Sequence, residues 1–310
     1  MTQFFSSRTR RVALALQGGG AHGAFTWGVL DRLLEAGLEF HCVTGVSSGA
    51  MIGAMAVQGM VKNGREGARA AMGAFWNRVM ESHIFGNLPP SPLDWMWDTT
   101  RALGNGLAWT GLTQALRLFD PAQLNPLGQN PLAPLLADLL DRAAIRDPAA
   151  PRLYVGATDV ETGEVTIFDN DRMRVRVLLA SACIPMMFPA VEIEGRHYWD
   201  GGYSCNPPLA PVLAHDPDLL VLIRAQPLRR QGVPVSTADI IHRLHEIAFQ
   251  APLAAELSLL PRGIRLVDIP ADEALTRHPL TSKLNTDRPF LEALFAAGRE
   301  AGTAAEARIG

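Results

Sequence analysis

Gly45-Val46-Ser47-Ser48-Gly49 has the spacing of a nucleophile elbow. A serine that attacks an ester carbonyl sits on a sharp strand-to-helix turn, whose strained dihedrals push the hydroxyl into a cleft. Such a turn is crowded. Gly45 and Gly49 remove Cβ atoms where strand and helix would collide, and Ser47 is left as the exposed member. Backbone N–H groups at the start of the following helix are unpaired and dipole-positive, which favours an alkoxide or oxyanion beside them. The pentapeptide alone also fits a glycine-rich helix start with no chemistry. Its flanks add the context: Cys42-Val43-Thr44 reads as the end of a short buried strand, and Ser48 to Met60 as a helix of small and apolar residues.

A second constellation lies upstream, in Gly18-Gly19-Gly20-Ala21-His22-Gly23-Ala24-Phe25. Successive glycines present backbone N–H groups to an anion and let the backbone approach it closely. Gly18, Gly20 and Gly23 satisfy G-x-G-x-x-G, with Glu39 as a nominal ribose partner, which is the dinucleotide reading. A Walker loop would need Gly-Lys-Ser/Thr, which is missing. The remaining use is an oxyanion hole for acyl transfer. The second strand favours that use, because it ends at the serine turn and not at an acidic residue gripping ribose. Two adjacent parallel strands, one ending in the glycine loop and the next in the elbow, form one site at the carboxyl edge of a sheet. Asp200-Gly201-Gly202 closes a predicted hairpin, and a carboxylate followed by two glycines is unobstructed enough to act as a base facing Ser47.

The elements that must position these groups follow from the periodicity. Arg11 to Gln17 reads as a strand, Thr26 to Ala36 as a helix, and Arg152 to Asp159 as a buried strand turning at Glu161-Thr162-Gly163-Glu164 into Val165 to Phe168. Val175 to Cys183 is helical until Ile184-Pro185 stops it. Val191 to Trp199 is a hairpin turning at Glu194-Gly195. Leu219 to Arg224 and Arg265 to Ile269 are later strands, with helices over Leu132 to Ala144 and Ile240 to Leu260, and a last helix bearing Leu291, Leu294 and Phe295. The 75–119 stretch is rich in Trp, Pro and Gly and reads as irregular, either a secondary core or a cap whose tryptophans make transient contact with a membrane surface. The whole is expected to be a single domain over 1–310, with a core over 12–213 interrupted by a cap insertion at 75–130, and 214–310 completing it.

Composition narrows the class. Of 310 residues, 48% are apolar and 19% charged, and the formal net charge is -3, so the chain is globular and lacks the basic footprint of a nucleic-acid partner. Cys42, Cys183 and Cys205 make no paired framework and no C-x-x-C, which points to free thiols in a reducing compartment. The 40–61 run carries no formal charge but is punctuated by Gly, Ser, His, Thr and Gln, unlike a spanning helix of about 20 predominantly apolar residues. The N-terminal apolar run stops at Gln17, too soon for a signal peptide, so residence is expected to be cytoplasmic, with peripheral membrane contact as the alternative. His242 and His245 stand at a spacing that could hold a metal, but no third ligand accompanies them, so no metal and no cofactor is expected.

GGGAHGAF, GVSSG, ASACIPMMFP (Ala180 to Pro189) and DGG in this order resemble the patatin-like acylhydrolases, relatives of the cytosolic phospholipases A2. The resemblance covers about Val12 to Leu213. It implies a three-layer α/β/α sandwich with a mostly parallel central sheet and a Ser-Asp dyad. In it, Ser47 is the nucleophile, Asp200 the dyad aspartate, and Gly18, Gly19 and Gly20 the oxyanion loop, with Gly23, Gly45, Gly49, Gly201 and Gly202 as supporting motif glycines. The implied function is hydrolysis of acyl esters of phospholipid or lysophospholipid. Where many relatives carry Arg or Lys in the loop, this chain has His22. Two alternatives stay open: a Ser-His-Asp esterase or thioesterase using His215, His242, His245 or His278, and an inactive lipid-binding protein on the same fold.

Overall fold

The computed structural model describes residues 10–82, 129–185, 187–227, 232–235, 237–276, 278 and 280–310. Among the described residues, eight strands form one sheet, in the order β5-β6-β3-β2-β1-β7-β8, with β4 pairing β3 off that path. The strands are β1 (Val12–Leu16), β2 (Cys42–Gly45), β3 (Arg152–Asp159), β4 (Val165–Phe168), β5 (Val191–Ile193), β6 (Arg196–Asp200), β7 (Leu219–Ile223) and β8 (Arg265–Ile269). β3, β2, β1, β7 and β8 run parallel, whereas β4, β5 and β6 make antiparallel pairs at one side.

The strands are apolar on both faces because both faces are covered. Val12, Leu14 and Leu16 of β1 and Leu219, Val221 and Ile223 of β7 enter the larger core cluster. The intervening Ala13, Ala15, Leu220 and Leu222 enter the other. Over the first face lie α1 (Gly23–Glu35), α2 (Ser48–Ser82), α3 (Leu132–Leu139), α5 (Val175–Ser181) and α9 (Arg288–Ile309), with the short α4 (Arg142–Ile145) beside α2. Over the second lie α6 (Ala210–Leu213) and α7 (Thr237–Ser258), which supply Val212 and Leu253. The short α8 (Asp272–Leu275) follows β8. The result is the expected α/β/α sandwich with a mostly parallel sheet.

Three departures from the sequence reading have physical causes. The first limb of α2 agrees with the helix read over Ser48 to Met60 and ends at the non-helical Asn63 and Gly64, but a second limb follows, and the two meet where Gly59 and Gly67 bring backbone against backbone. Its second limb runs through Ser82, so Phe75 and Trp76, read as the start of an irregular stretch, are helical and buried; Trp76 stacks on Trp27 of α1 at 6.2 Å. Residues 83–128, which hold the rest of that stretch, lie outside the described residues. The helix expected over Leu132 to Ala144 is split. Buried Gln58 takes the Leu139 carbonyl and the Asp141 N–H, and the Asp141 side chain then caps Ala144.

α1 and α9 cross with backbones in contact, since a Cβ on Gly28 would run into the Phe295 carbonyl and one on Gly298 into that of Phe25. Their polar edges join α2 in an ion-pair network in which Asp31 and Glu35 each receive Arg69 and Arg299.

Candidate active site

Strand register brings the Ser47 turn and Asp200 to the same part of the sheet edge. β1 and β2 end level, with Leu16 opposite Gly45, so the glycine loop and the serine turn leave the sheet side by side. On its other edge β2 ends at Gly45 opposite Val155 of β3. β6 takes over the vacated edge of β3 and sets Asp200 opposite Ala157, two residues further on. Asp200 therefore arrives just beyond the end of β2, where the chain turns through Ser47.

Ser47 has φ of 54°, a left-handed conformation that is strained for a residue with a Cβ. It is half-buried, while its neighbours Val46 and Ser48 are buried. The crowding around it is severe. A Cβ on Gly45 would lie 2.7 Å from the Gly49 backbone, one on Gly49 would strike the Leu16 carbonyl, and one on Gly18 would lie 2.8 Å from Ser47 Cβ. The Ser47 N–H donates to Ser181 Oγ at 2.9 Å, and Ser181 in turn donates to the Gly156 carbonyl at 2.7 Å. Ser181 thus clamps the strained turn to β3.

The Ser47 hydroxyl is near enough to the Asp200 carboxylate to favour its charged form. Burial pushes the Asp200 carboxyl up to about 6, against smaller opposing pulls from the Gly202 N–H, the Ser47 hydroxyl and the positive charge of Lys283. The Gly202 N–H reaches Asp200 Oδ1 at 2.8 Å. The Asp200 backbone is held on both sides, by the Cys183 carbonyl at 2.8 Å and by Thr158 Oγ1 at 2.8 Å. A Cβ on Gly201 would collide with the Gly156 carbonyl, and one on Gly202 with the Phe249 ring. Nearby thiols do not compete as nucleophiles: burial raises Cys183 to about 12 and pushes Cys205 up as well. Tyr203 is also raised to about 12, by burial and then by the Asp200 charge, and stays protonated.

Two N–H groups of the glycine loop are already spoken for. Gly18 N–H donates to Asn206 Oδ1 at 2.7 Å, and Gly19 N–H to Ser48 Oγ at 3.1 Å. The Gly18 carbonyl receives Gln226 Nε2 at 3.0 Å. Gly20 differs from both, being exposed, with φ of 60° and no hydrogen-bond partner for its N–H among the described residues. His22, the residue that replaces a loop cation, is buried and hydrogen-bonds Ser282 Oγ through Nε2 at 2.7 Å. It ties the loop to the 3-10 turn Leu280–Leu284.

Among the described residues no imidazole hydrogen-bonds Ser47 or Asp200. His215 is engaged with the Tyr154 hydroxyl at 2.6 Å, and its carbonyl receives Arg11 at the amino end of β1, away from the site. His278 packs edge-on against Phe290. The side chains of His242 and His245 lie outside the described residues. Glu39, nominal partner of a ribose, precedes β2 and pairs with Arg65. No described group of three His, Cys, Asp or Glu side chains could hold a metal.

Ser181, Asn206, Gln226 and Ser48 escaped the sequence reading as site residues. Ser181 lies within the quoted ASACIPMMFP segment, and that was the one signal available for it.

A serine elbow beside a glycine loop at the carboxyl edge of a parallel sheet defines an α/β protein of the nucleophile-elbow class. The chain belongs to the patatin-like phospholipase family, whose model matches residues 14–213. It is 26% identical over 243 residues to uncharacterized NTE family proteins of Mycobacterium bovis and Mycobacterium tuberculosis, covering 77% of this chain. This chain spans only 56% of those relatives' length. Among solved structures it is similar to VipD from Legionella pneumophila, with a TM-score of 0.47 and 15% identity over 98% of this chain and 68% of that one. It is also similar to human GIVD cytosolic phospholipase A2 in complex with methyl gamma-linolenyl fluorophosphonate, with a TM-score of 0.47 and 12% identity over 97% and 58% of the two chains.

Proposed function

We propose that this protein is a serine acylhydrolase that cleaves acyl esters of phospholipids or lysophospholipids with Ser47 as nucleophile and Asp200 as its base. The observation that carries this reading is the strained turn at Ser47 lying where strand register delivers Asp200, a buried carboxylate lifted to about 6. An ordinary aspartate, near 3.9, is a feeble acceptor for a serine proton, and raising its pKa brings it closer to a working base. Asp200 takes the Ser47 proton as Oγ bonds to the acyl carbon, and the carbonyl electron pair moves onto oxygen. The exposed Gly20 N–H is the loop donor open to that oxyanion, while Gly18 and Gly19 keep the loop in shape. The protonated Asp200 then gives its proton to the departing alcohol. Water attacks the acyl-enzyme, Asp200 accepts a proton from it, and the fatty acid leaves as Ser47 recovers its own.

A lipid-panel hydrolysis assay of wild type against Ser47→Ala, together with fluorophosphonate labelling, tests the reading. Wild type is expected to release fatty acid and to be labelled at Ser47, and Ser47→Ala to do neither. Labelling absent from folded wild type would favour an inactive lipid-binding protein. A triad would be indicated if changing one histidine to Ala abolished turnover while Asp200→Asn was tolerated. No described helix is long and apolar enough to cross a membrane, and access to lipid is proposed to be by peripheral contact.

A further inference from the structure

Only two lysines occur in the chain, Lys62 and Lys283. Lys62 pairs with Asp141 at 2.7 Å. Lys283 is placed against the candidate active site by its backbone, by its neighbour Ser282 and by its side chain. Its carbonyl packs on the face of Gly20 where a Cβ would be, so this residue is seated on the glycine loop. The preceding Ser282 is pinned to the same loop by His22 at 2.7 Å. Its ammonium lies 5.9 Å from the centre of the Phe249 ring, and that ring abuts Gly202, two residues after Asp200, and meets Tyr203 edge-on at 4.9 Å.

We infer that Lys283 forms an anion subsite at the mouth of the Ser47–Asp200 site and takes the phosphate diester of a phospholipid or lysophospholipid head group. The inference rests on the acylhydrolase reading for the identity of the lipid. The physical case is one of charge. Asp200 must be ionised to accept the serine proton, and a phosphate diester brought close to it adds a second negative charge. Like charges a few ångströms apart repel strongly where water is scarce. A cation between them removes that penalty, and a lysine is a compact point charge suited to phosphate. The electrostatic pull of Lys283 on Asp200 agrees with this placement. Lys283 is half-buried with its ammonium over the Phe249 ring, which reduces the freedom that binding would otherwise cost.

The test compares a lysophospholipid with a monoacylglycerol of the same acyl chain, so that the two differ only in the phosphate head group. In hydrolysis, the ratio of kcat/KM for the lysophospholipid to that for the monoacylglycerol is expected to fall about tenfold in Lys283→Gln, and to be largely restored in Lys283→Arg. The same ratio is read as equilibrium binding in a Ser47→Ala background, where turnover plays no part. A ratio unchanged in Lys283→Gln, or lowered equally in Lys283→Arg, overturns the subsite while leaving the acylhydrolase reading intact. If wild type hydrolyses neither lipid, that reading falls, and the binding ratio still decides the subsite. Inorganic phosphate should compete with lysophospholipid in wild type and not in Lys283→Gln. Phosphate binding at Lys283 with no preference for lysophospholipid would make it a site for free phosphate and overturn the head-group assignment.

Discussion

Asn206 Oδ1 accepts the Gly18 N–H at 2.7 Å, joining the segment after Asp200 to the glycine loop across 188 residues of sequence. Asn206 is fully buried, and its Nδ2 also faces the Gly18 carbonyl at 3.5 Å. Its place is therefore to position the loop relative to the carboxylate. Replacing it by Leu strands a buried N–H, which costs about 1–3 kcal/mol. Asn206→Leu is expected to lower the urea midpoint and to reduce kcat more than KM, since Gly20 would drift from the reacting carbonyl. Unchanged kcat in a folded variant would show that the loop needs no such tether.

Activity should follow the ionisation of Asp200. Burial lifts its carboxyl to about 6, and in the proposed mechanism only the deprotonated form accepts the Ser47 proton. kcat/KM is expected to fall tenfold per pH unit below about pH 6 and to level off above it. A profile flat down to about pH 4 would mean that Asp200 is not the base, or that its environment is wetter than its burial indicates.

The same carboxyl makes an opposite prediction for stability. A group held above its ordinary value of 3.8 binds its proton more tightly in the folded state. Its contribution is thus most favourable below about pH 4 and is lost as pH rises toward 6. The two-unit difference corresponds to roughly 3 kcal/mol, an upper figure for a single buried site. Asp200→Asn keeps the acceptor for the Gly202 N–H and should be inactive yet more stable than wild type at pH 8, with the gap closing at pH 4. Urea melts at both pH values measure this, and an equal gap at both would contradict the raised pKa.

How far these relationships could be read from the chain depends on their range. The strands and the hairpin were legible because alternation and turn chemistry are local, and the hairpin turns at Glu194 and Gly195 as its residues suggest. The order of the four motifs pointed to Ser47 and Asp200. Ser181, Asn206 and Lys283 were not legible beside the site, because each reaches Ser47 or the glycine loop through a residue at least 134 positions away. A lone serine, asparagine or lysine leaves no periodic trace. The second limb of α2, beyond the break at Asn63–Gly64, was missed for a related reason. Helical propensity resumes on both sides, and only the packing of Gly59 on Gly67 requires the chain to fold back there.

The crossing of α1 and α9 fixes the position of the glycine loop from behind, and it depends on the absence of two side chains. A methyl on Gly28 would strike the Phe295 carbonyl and lie 3.0 Å from the Arg299 N–H, both backbone atoms that cannot swing aside. Gly28→Ala is expected to destabilise by about 1–3 kcal/mol through overpacking, even though alanine favours helix. It should also disturb the Arg299 pairing with Asp31 and Glu35. A thermal melt unchanged from wild type would show that the helices can part at no cost.

Ser47 offers a last test, because its backbone and its chemistry can be separated. At φ of 54° a Cβ is strained by about 1 kcal/mol or more, whatever lies beyond it. Ser47→Ala keeps that strain and loses the hydroxyl, whereas Ser47→Gly loses both. Glycine is also more flexible when unfolded, which offsets part of the relief. Ser47→Gly is nevertheless expected to be the more stable of the two variants, by up to about 1 kcal/mol, with both equally inactive. Chemical denaturation of the pair measures the difference. If Ser47→Ala were the more stable, the turn would not be holding Ser47 under backbone strain, and its left-handed conformation would need another explanation.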